Sequence, residues 1–186
     1  MNNALQIANR RNSPRLGRGA TLVESAITLC IVAVIVSATA PSFKQARERR
    51  LLEGIAAQVA TDVQFARSLA VARAESVRIS FSVASGASCY VVHTGKASAC
   101  RCAADGAPIC TGTAQPLHTV RLEADLPVQV ASNSSSIVFD SDKGTVTPTA
   151  TVKVQGKEAA IHKIVNIMGR VRTCSPAAGM AGYPVC

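Results

Sequence analysis

Residues 15–41 read RLGRGATLVESAITLCIVAVIVSATAP. The stretch starts basic and then turns apolar. Leu22 to Ala40 is 19 residues long and carries one charge, Glu24. About 20 apolar residues suffice for a helix to span a bilayer. Arg10, Arg11, Arg15 and Arg18 precede the run with no acid among them, which by the positive-inside rule places the N-terminus in the cytoplasm. A carboxylate just inside such a run is costly, so Glu24 needs a reason. The helical pattern also continues past Pro41. Leu52, Ile55, Val59, Val63, Ala66 and Ala70 recur at steps of three and four, with Glu53, Gln58, Asp62 and Arg73 expected opposite. The pattern ends near Glu75, and Pro41, which lacks a backbone donor, is expected to kink the helix.

After Glu75 the period changes to two. SVRISFSV (Ser76–Val83) alternates Val77, Ile79, Phe81 and Val83 with polar residues, the mark of a half-buried strand. CYVVHT, HTVRLEA, LPVQVAS, SSIVFDS, TVTPTATVKV and IHKIVNIMGRVRT continue in the same manner. Asp142-Lys143-Gly144 marks a hairpin turn, and Pro148 is expected to break its strand or hold it at an edge. A long helix followed by antiparallel strands predicts an α+β fold.

The chain has 186 residues, 48% of them hydrophobic but only 3% aromatic, with no tryptophan. Its core must therefore rest on aliphatic side chains. The net charge is +9, of which the four arginines before the apolar run supply +4, leaving +5 on the rest. A basic balance favours anionic partners. Cys30 lies within the apolar run and reads as a small apolar residue. Cys89, Cys100, Cys102, Cys110, Cys174 and Cys186 follow it, and an even number in an exported domain points to disulfides whose pairing spacing alone leaves open. Residues 95–115 read as a loop held by the first four. Cys100-Arg101-Cys102 has no companion C-x2-C pair, which argues against zinc.

His93, His118 and His162 are dispersed over strand-like segments. No metal, nucleotide or nucleophile motif accompanies them, and Asp140 and Asp142 flank a turn, where Asp is common. The sequence therefore describes a protein that is not an enzyme and calls for no cofactor or metal.

Three processing routes fit residues 1–41. One is a secretory signal cut after Ala38-Thr39-Ala40. Another is a plain signal anchor. The third is a leader cut on the cytoplasmic side, between Gly19 and Ala20, with the apolar helix kept. A disposable signal gains nothing from Glu24, so the third route fits best. GATLVE (Gly19–Glu24) resembles the G-x-T-L-[IV]-E motif of type IV pilins and type II secretion pseudopilins, with Ala20 standing where that class usually has Phe. The resemblance implies a prepilin peptidase as partner, cleavage after Gly19 and methylation of the new N-terminus. It also implies assembly with other pilins through the helix. Glu24 would then pair with the amine of Ala20, in its own chain or a neighbour's, and set subunit register.

NIMGRVRTCSPAAGMAGYPVC (Asn166–Cys186) is the other informative stretch. Ile164, Val165, Ile167 and Met168 read as a strand that bends at Gly169. Arg170 and Arg172 follow, sharing one face of an extended chain, roughly 7 Å apart. That is near the phosphate spacing of a DNA strand, and guanidinium forks suit phosphate oxygens. Cys174 and Cys186 can close the tail beside them. Lys163, to one side of this motif, is expected to join the two arginines as a DNA contact, and Lys153 and Lys157 are expected on the adjacent strand. The bland reading is a solvated edge strand guarded by charge. GRVR resembles the G-R-x-R motif of FimT-type, DNA-binding minor pilins in the GspH/FimT family. That resemblance implies sequence-independent DNA capture by Gly169, Arg170 and Arg172 for natural transformation. A GspH-type minor pseudopilin of type II secretion, without DNA affinity, is the structural alternative.

The expected organisation is a leader at 1–19, a membrane and assembly helix at 20–41, an amphipathic helix at 42–76 and a β-rich domain at 77–186. The protein would sit once across the bacterial inner membrane, N-terminus cytoplasmic, and pass to the periplasm and pilus surface or tip.

Overall fold

The computed structural model describes residues 21–84, 87–103, 105–176 and 180–186. Helix α1 is Leu22–Arg73. It starts where Thr21 Oγ1 accepts the amide of Glu24 at 3.2 Å. A threonine cap with glutamate three residues on is a helix-start signature. The chain forms two compact units, divided after Pro41. The first contains a helical segment long and apolar enough to cross a membrane, with Leu22, Leu29 and Val34 exposed.

The second unit, Ser42–Cys186, holds the core. Leu52, Ala56, Val59, Val63, Ala66 and Ala70 of α1 are all buried. Their steps of four and three make one stripe along the helix. Ile55 only flanks it, half-buried. Asp62 corrects the expectation of a solvent-facing acid, because it is 4% exposed. The physical reason is spacing: Asp62 lies three residues after Val59 and four before Ala66, inside the buried stripe. Its carboxylate accepts from Tyr90 Oη at 2.5 Å and Gln58 Nε2 at 2.9 Å, and His118 Nε2 lies 3.6 Å away. Burial, then the bond to Asp62, pushes the Tyr90 phenol up.

Eleven strands are described: β1 Val77–Ala84, β2 Ala87–Thr94, β3 Cys100–Cys102, β4 Pro108–Cys110, β5 Pro116–Leu122, β6 Gln129–Ser132, β7 Ser136–Phe139, β8 Val146–Thr147, β9 Ala150–Gln155, β10 Ala160–Val165 and β11 Val171–Cys174. They form a five-stranded sheet, β5-β2-β1-β7-β8, a four-stranded sheet, β11-β10-β9-β6, and a two-stranded sheet, β3-β4. The pairings between these strands are antiparallel. Ile79, Tyr90, Val92, Ile137 and Phe139 from the first sheet join Val130, Val152, Val154, Ile161 and Val165 from the second and the helix stripe in one core. Pro148 interrupts the strand run as expected, and β8 and β9 on either side of it belong to different sheets.

Strand β2 is buried on both faces, which explains its unbroken CYVVHT run. Tyr90 and Val92 face the main core, while Cys89 and Val91 pack with Cys100 in a second cluster. The segment expected to be a plain loop contains the β3–β4 hairpin, held by Cys89–Cys102 and Cys100–Cys110. Below it His93 is fully buried. Its Nδ1 lies 2.8 Å from the Thr94 carbonyl and its Nε2 2.8 Å from Ser80 Oγ. A carbonyl only accepts, so Nδ1 carries the proton. Burial holds this imidazole below its ordinary range, and Arg78 acts in the same direction.

Candidate functional site

The GRVR segment occupies a hairpin. Strands β10 and β11 pair antiparallel, with Val165 opposite Val171, Ile164 opposite Arg172 and Lys163 opposite Thr173. The strand expected to run on through Ile167 and Met168 instead stops at Val165, and the chain turns over residues 166–169. Ile167 and Met168 are exposed. Asn166 is the cause. Its Oδ1 accepts the amides of Met168 at 3.1 Å and Arg170 at 2.9 Å. Its backbone carbonyl takes the Gly169 amide and its amide donates to the Arg170 carbonyl. Asn competes for backbone groups in this way wherever a turn offers them. Gly169 has φ 71°, a left-handed conformation that suits glycine.

The turn is seated on α1 and on the β7–β8 turn. Gln64 Nε2 donates to the Gly169 carbonyl at 3.1 Å, and Arg67 Nε donates to the Gly144 carbonyl at 3.1 Å. The Val146 amide donates to the Ile167 carbonyl at 2.8 Å. A Cβ on Gly169 would lie 2.8 Å from Arg67 Cδ and 3.3 Å from the Gly144 oxygen. In the β7–β8 turn, Asp140 Oδ1 accepts the amides of Asp142 and Lys143 at 3.0 Å each. Those two bonds hold the Asp140 carboxyl below the usual range.

Arg170 and Arg172 are exposed, and β11 is an edge strand. Among the described residues no carboxylate pairs with either. Lys163 is a correction. Strand alternation turns it to the same face as Ile161 and Val165, leaves it 8% exposed and aims Nζ at Thr173 Oγ1, 2.8 Å away. Burial lowers its pKa. It braces the hairpin from within and does not stand beside the arginines. Lys153 is on the adjacent strand as expected, opposite His162. Burial and then Lys153 lower the His162 pKa. Lys157 follows β9 and lies outside it.

The tail is fixed alongside. Cys174 and Cys186 are disulfide-bonded, the Ser175 amide donates to the Pro184 carbonyl and the Cys186 amide to the Ser175 carbonyl, and Met180 is buried in the main core. Asn166, Gln64 and Arg67 are the positioning residues that the sequence reading did not single out. Only Asn166 had a signal, its N-x-x-G turn pattern. Among the described residues no cluster of His, Cys, Asp or Glu suits a metal ion.

At the other end, Gly19 and Ala20 lie outside the described residues. Glu24 is exposed in the first turn of α1, where an acid also complements the helix dipole. Cys30 is exposed and unpaired among the described residues.

An N-terminal helix with an apolar first half, and antiparallel sheets packed on its second half, define a pilin-like α+β protein. Residues 56–169 match the family described as Type II transport protein GspH, and the chain belongs to that family. Its members are non-enzymatic structural pilins and pseudopilins, which assemble with other pilins. Arg170 and Arg172 fall just beyond the matched residues. Two crystal structures of the Pseudomonas aeruginosa type IV minor pilin FimU are similar in fold. One shares 18% identity, covering 67% of this chain and 89% of FimU with a TM-score of 0.49. The other shares 16%, covering 65% and 90% with a TM-score of 0.45. No curated protein matches the chain.

Proposed function

We propose that this chain is a minor pilin of the type IV pilus that captures extracellular DNA through Arg170 and Arg172. The observation that carries the reading is the hairpin itself. Two exposed guanidiniums, with no carboxylate partner among the described residues, stand at the start of an edge strand, Arg170 just before β11 and Arg172 within it. The preceding turn is bonded to α1 and to the β7–β8 segment, and a disulfide closes the tail after β11. Rigid placement lowers the entropy lost on binding. The contacts are to phosphate, which is sequence-independent and salt-sensitive. Tyr90 is buried and Tyr183 is half-buried against the core, and two such tyrosines are too few for a base-stacking platform.

Delivery to the cell surface follows the N-terminal motif. Prepilin peptidase cuts between Gly19 and Ala20 at the inner membrane, the new N-terminus is methylated, and the helix enters the filament. Glu24 pairs with a subunit amine there. Normal filament incorporation of cleaved Glu24→Ala would sink that role. The Thr21 cap takes the Glu24 backbone amide, which any residue keeps, so Glu24→Gln tests the charge pairing with the cap intact.

One observation favours the structural alternative, a GspH-type pseudopilin of type II secretion. The family match stops at Gly169, and charge on an edge strand also serves to block unwanted strand pairing. A gel shift with residues 42–186 over a salt series separates the two. DNA binding that falls with salt and depends on Arg170 and Arg172 supports capture, and its absence supports the pseudopilin.

A further inference from the structure

A second basic cluster takes no part in that site. Residues 42–51 read SFKQARERRL. Lys44, Arg47, Arg49 and Arg50 are exposed. Some of the charges here are engaged. Arg49 bonds Glu53 at 3.0 Å and the Ala181 carbonyl at 2.6 Å, and Glu48 accepts the Lys157 amide. Lys44, Arg47 and Arg50 have no ion pair or hydrogen bond among the described residues. Their three-residue spacing gathers them on one side of the helix. Phe43 beside them is 74% exposed.

Packing gives these residues no reason to be there, and neither does insertion. Basic residues orient a span when they stay in the cytoplasm, yet these lie at the opposite end of the span from the leader arginines. They follow Ala40 by four to ten residues, or roughly 6–15 Å of helix. A headgroup layer extends roughly 5–8 Å beyond the hydrocarbon, and Lys and Arg stems reach several ångströms further. The three cations are therefore within reach of lipid phosphates.

We propose that Lys44, Arg47 and Arg50 bind the phosphates of anionic phospholipids in the leaflet facing the soluble domain, holding that domain on the membrane before assembly. The inference rests on residues 22–40 being the membrane span. Every core residue lies between Leu52 and Met180, so a fragment of residues 42–186 keeps its whole core and all three disulfides.

The test sediments that fragment with vesicles of phosphatidylcholine alone and of phosphatidylcholine mixed equally with phosphatidylglycerol. Binding to the mixed vesicles only is expected, weakening with salt. Each basic residue near an anionic surface contributes about fivefold to partition. The combined variant Lys44→Gln, Arg47→Gln, Arg50→Gln should thus lose on the order of a hundredfold, while Arg170→Gln with Arg172→Gln retains binding. Equal sedimentation with both vesicle types, an unaffected triple variant, or loss caused by the Arg170 and Arg172 changes instead would each overturn the proposal. Alkaline extraction of the full chain from membranes tests the span separately. Release by alkali removes the span and the lipid contact together. Retention, combined with a fragment that ignores anionic vesicles, removes the lipid contact alone.

Discussion

Gln64 Nε2 on the helix donates to the carbonyl of Gly169 in the β10–β11 turn at 3.1 Å. One side chain thus ties helix α1 to the residue that precedes Arg170. Gly169 accepts that tie only in its left-handed conformation and against Arg67. Gly169→Ala should destabilise the domain by about 1–3 kcal/mol. Gly112 has a similar φ of 68° with nothing within 4 Å of an added Cβ, so Gly112→Ala should cost less. Denaturant midpoints of the two variants measure the difference, and equal losses would contradict the seating described.

Asp62 and Tyr90 form the buried link between helix and first sheet. Tyr90→Phe leaves the carboxylate short of a donor and should cost about 1–3 kcal/mol. Tyr90→Phe and Asp62→Asn should be coupled in a double-mutant cycle, because they share one bond. Simple additivity would show that the bond contributes little.

His93 sets a pH dependence. Its pKa is lowered in the fold from an ordinary 6.5, so the unfolded chain binds the proton more readily. Stability from this group is complete above about pH 6.5 and declines as pH falls from there toward the folded pKa. His162 is lowered also and acts in the same direction. Thermal melts between neutral and mildly acid pH should show a falling midpoint. His93→Asn should melt lower at neutral pH but lose less on acidification. A midpoint that rises on acidification, or an acid loss unchanged in His93→Asn, would contradict this assignment.

Much of this was legible in the sequence. The capped apolar run, the three-and-four steps from Leu52 to Ala70, the alternation of Val77–Val83 and the Asp142–Gly144 turn give the elements in order. Asp62 departs from the pattern because its charge predicts solvent, whereas its spacing sets it in the buried stripe. Lys163 departs for the complementary reason: strand alternation sends it inward, and Thr173, ten residues on, satisfies it. Gln64 and Arg67 lie 105 and 77 residues from the carbonyls they hold. No local pattern records such a contact. The disulfides Cys89–Cys102 and Cys100–Cys110 likewise depend on which strands meet.

The Cys174–Cys186 bridge closes a separation of 12 residues. Replacing both cysteines with serine should cost about 3 kcal/mol and loosen the tail beside β11. DNA binding by the fragment should weaken without vanishing, since Asn166 and Gln64 still hold the turn. Complete loss of binding in a folded double-serine variant would mean that the tail itself contacts the ligand.

The central claim concerns Arg170 and Arg172. The direct measurement is DNA binding by residues 42–186 across a salt series, wild type against Arg170→Gln with Arg172→Gln. Each phosphate contact contributes about 0.9 to the slope of log affinity against log salt. The wild-type fragment should bind DNA without sequence preference and with a steep salt slope. The double variant should melt normally, bind far more weakly, and lose up to about 2 from that slope. Unchanged affinity and slope in the folded double variant would contradict the account and leave the hairpin as a guarded sheet edge.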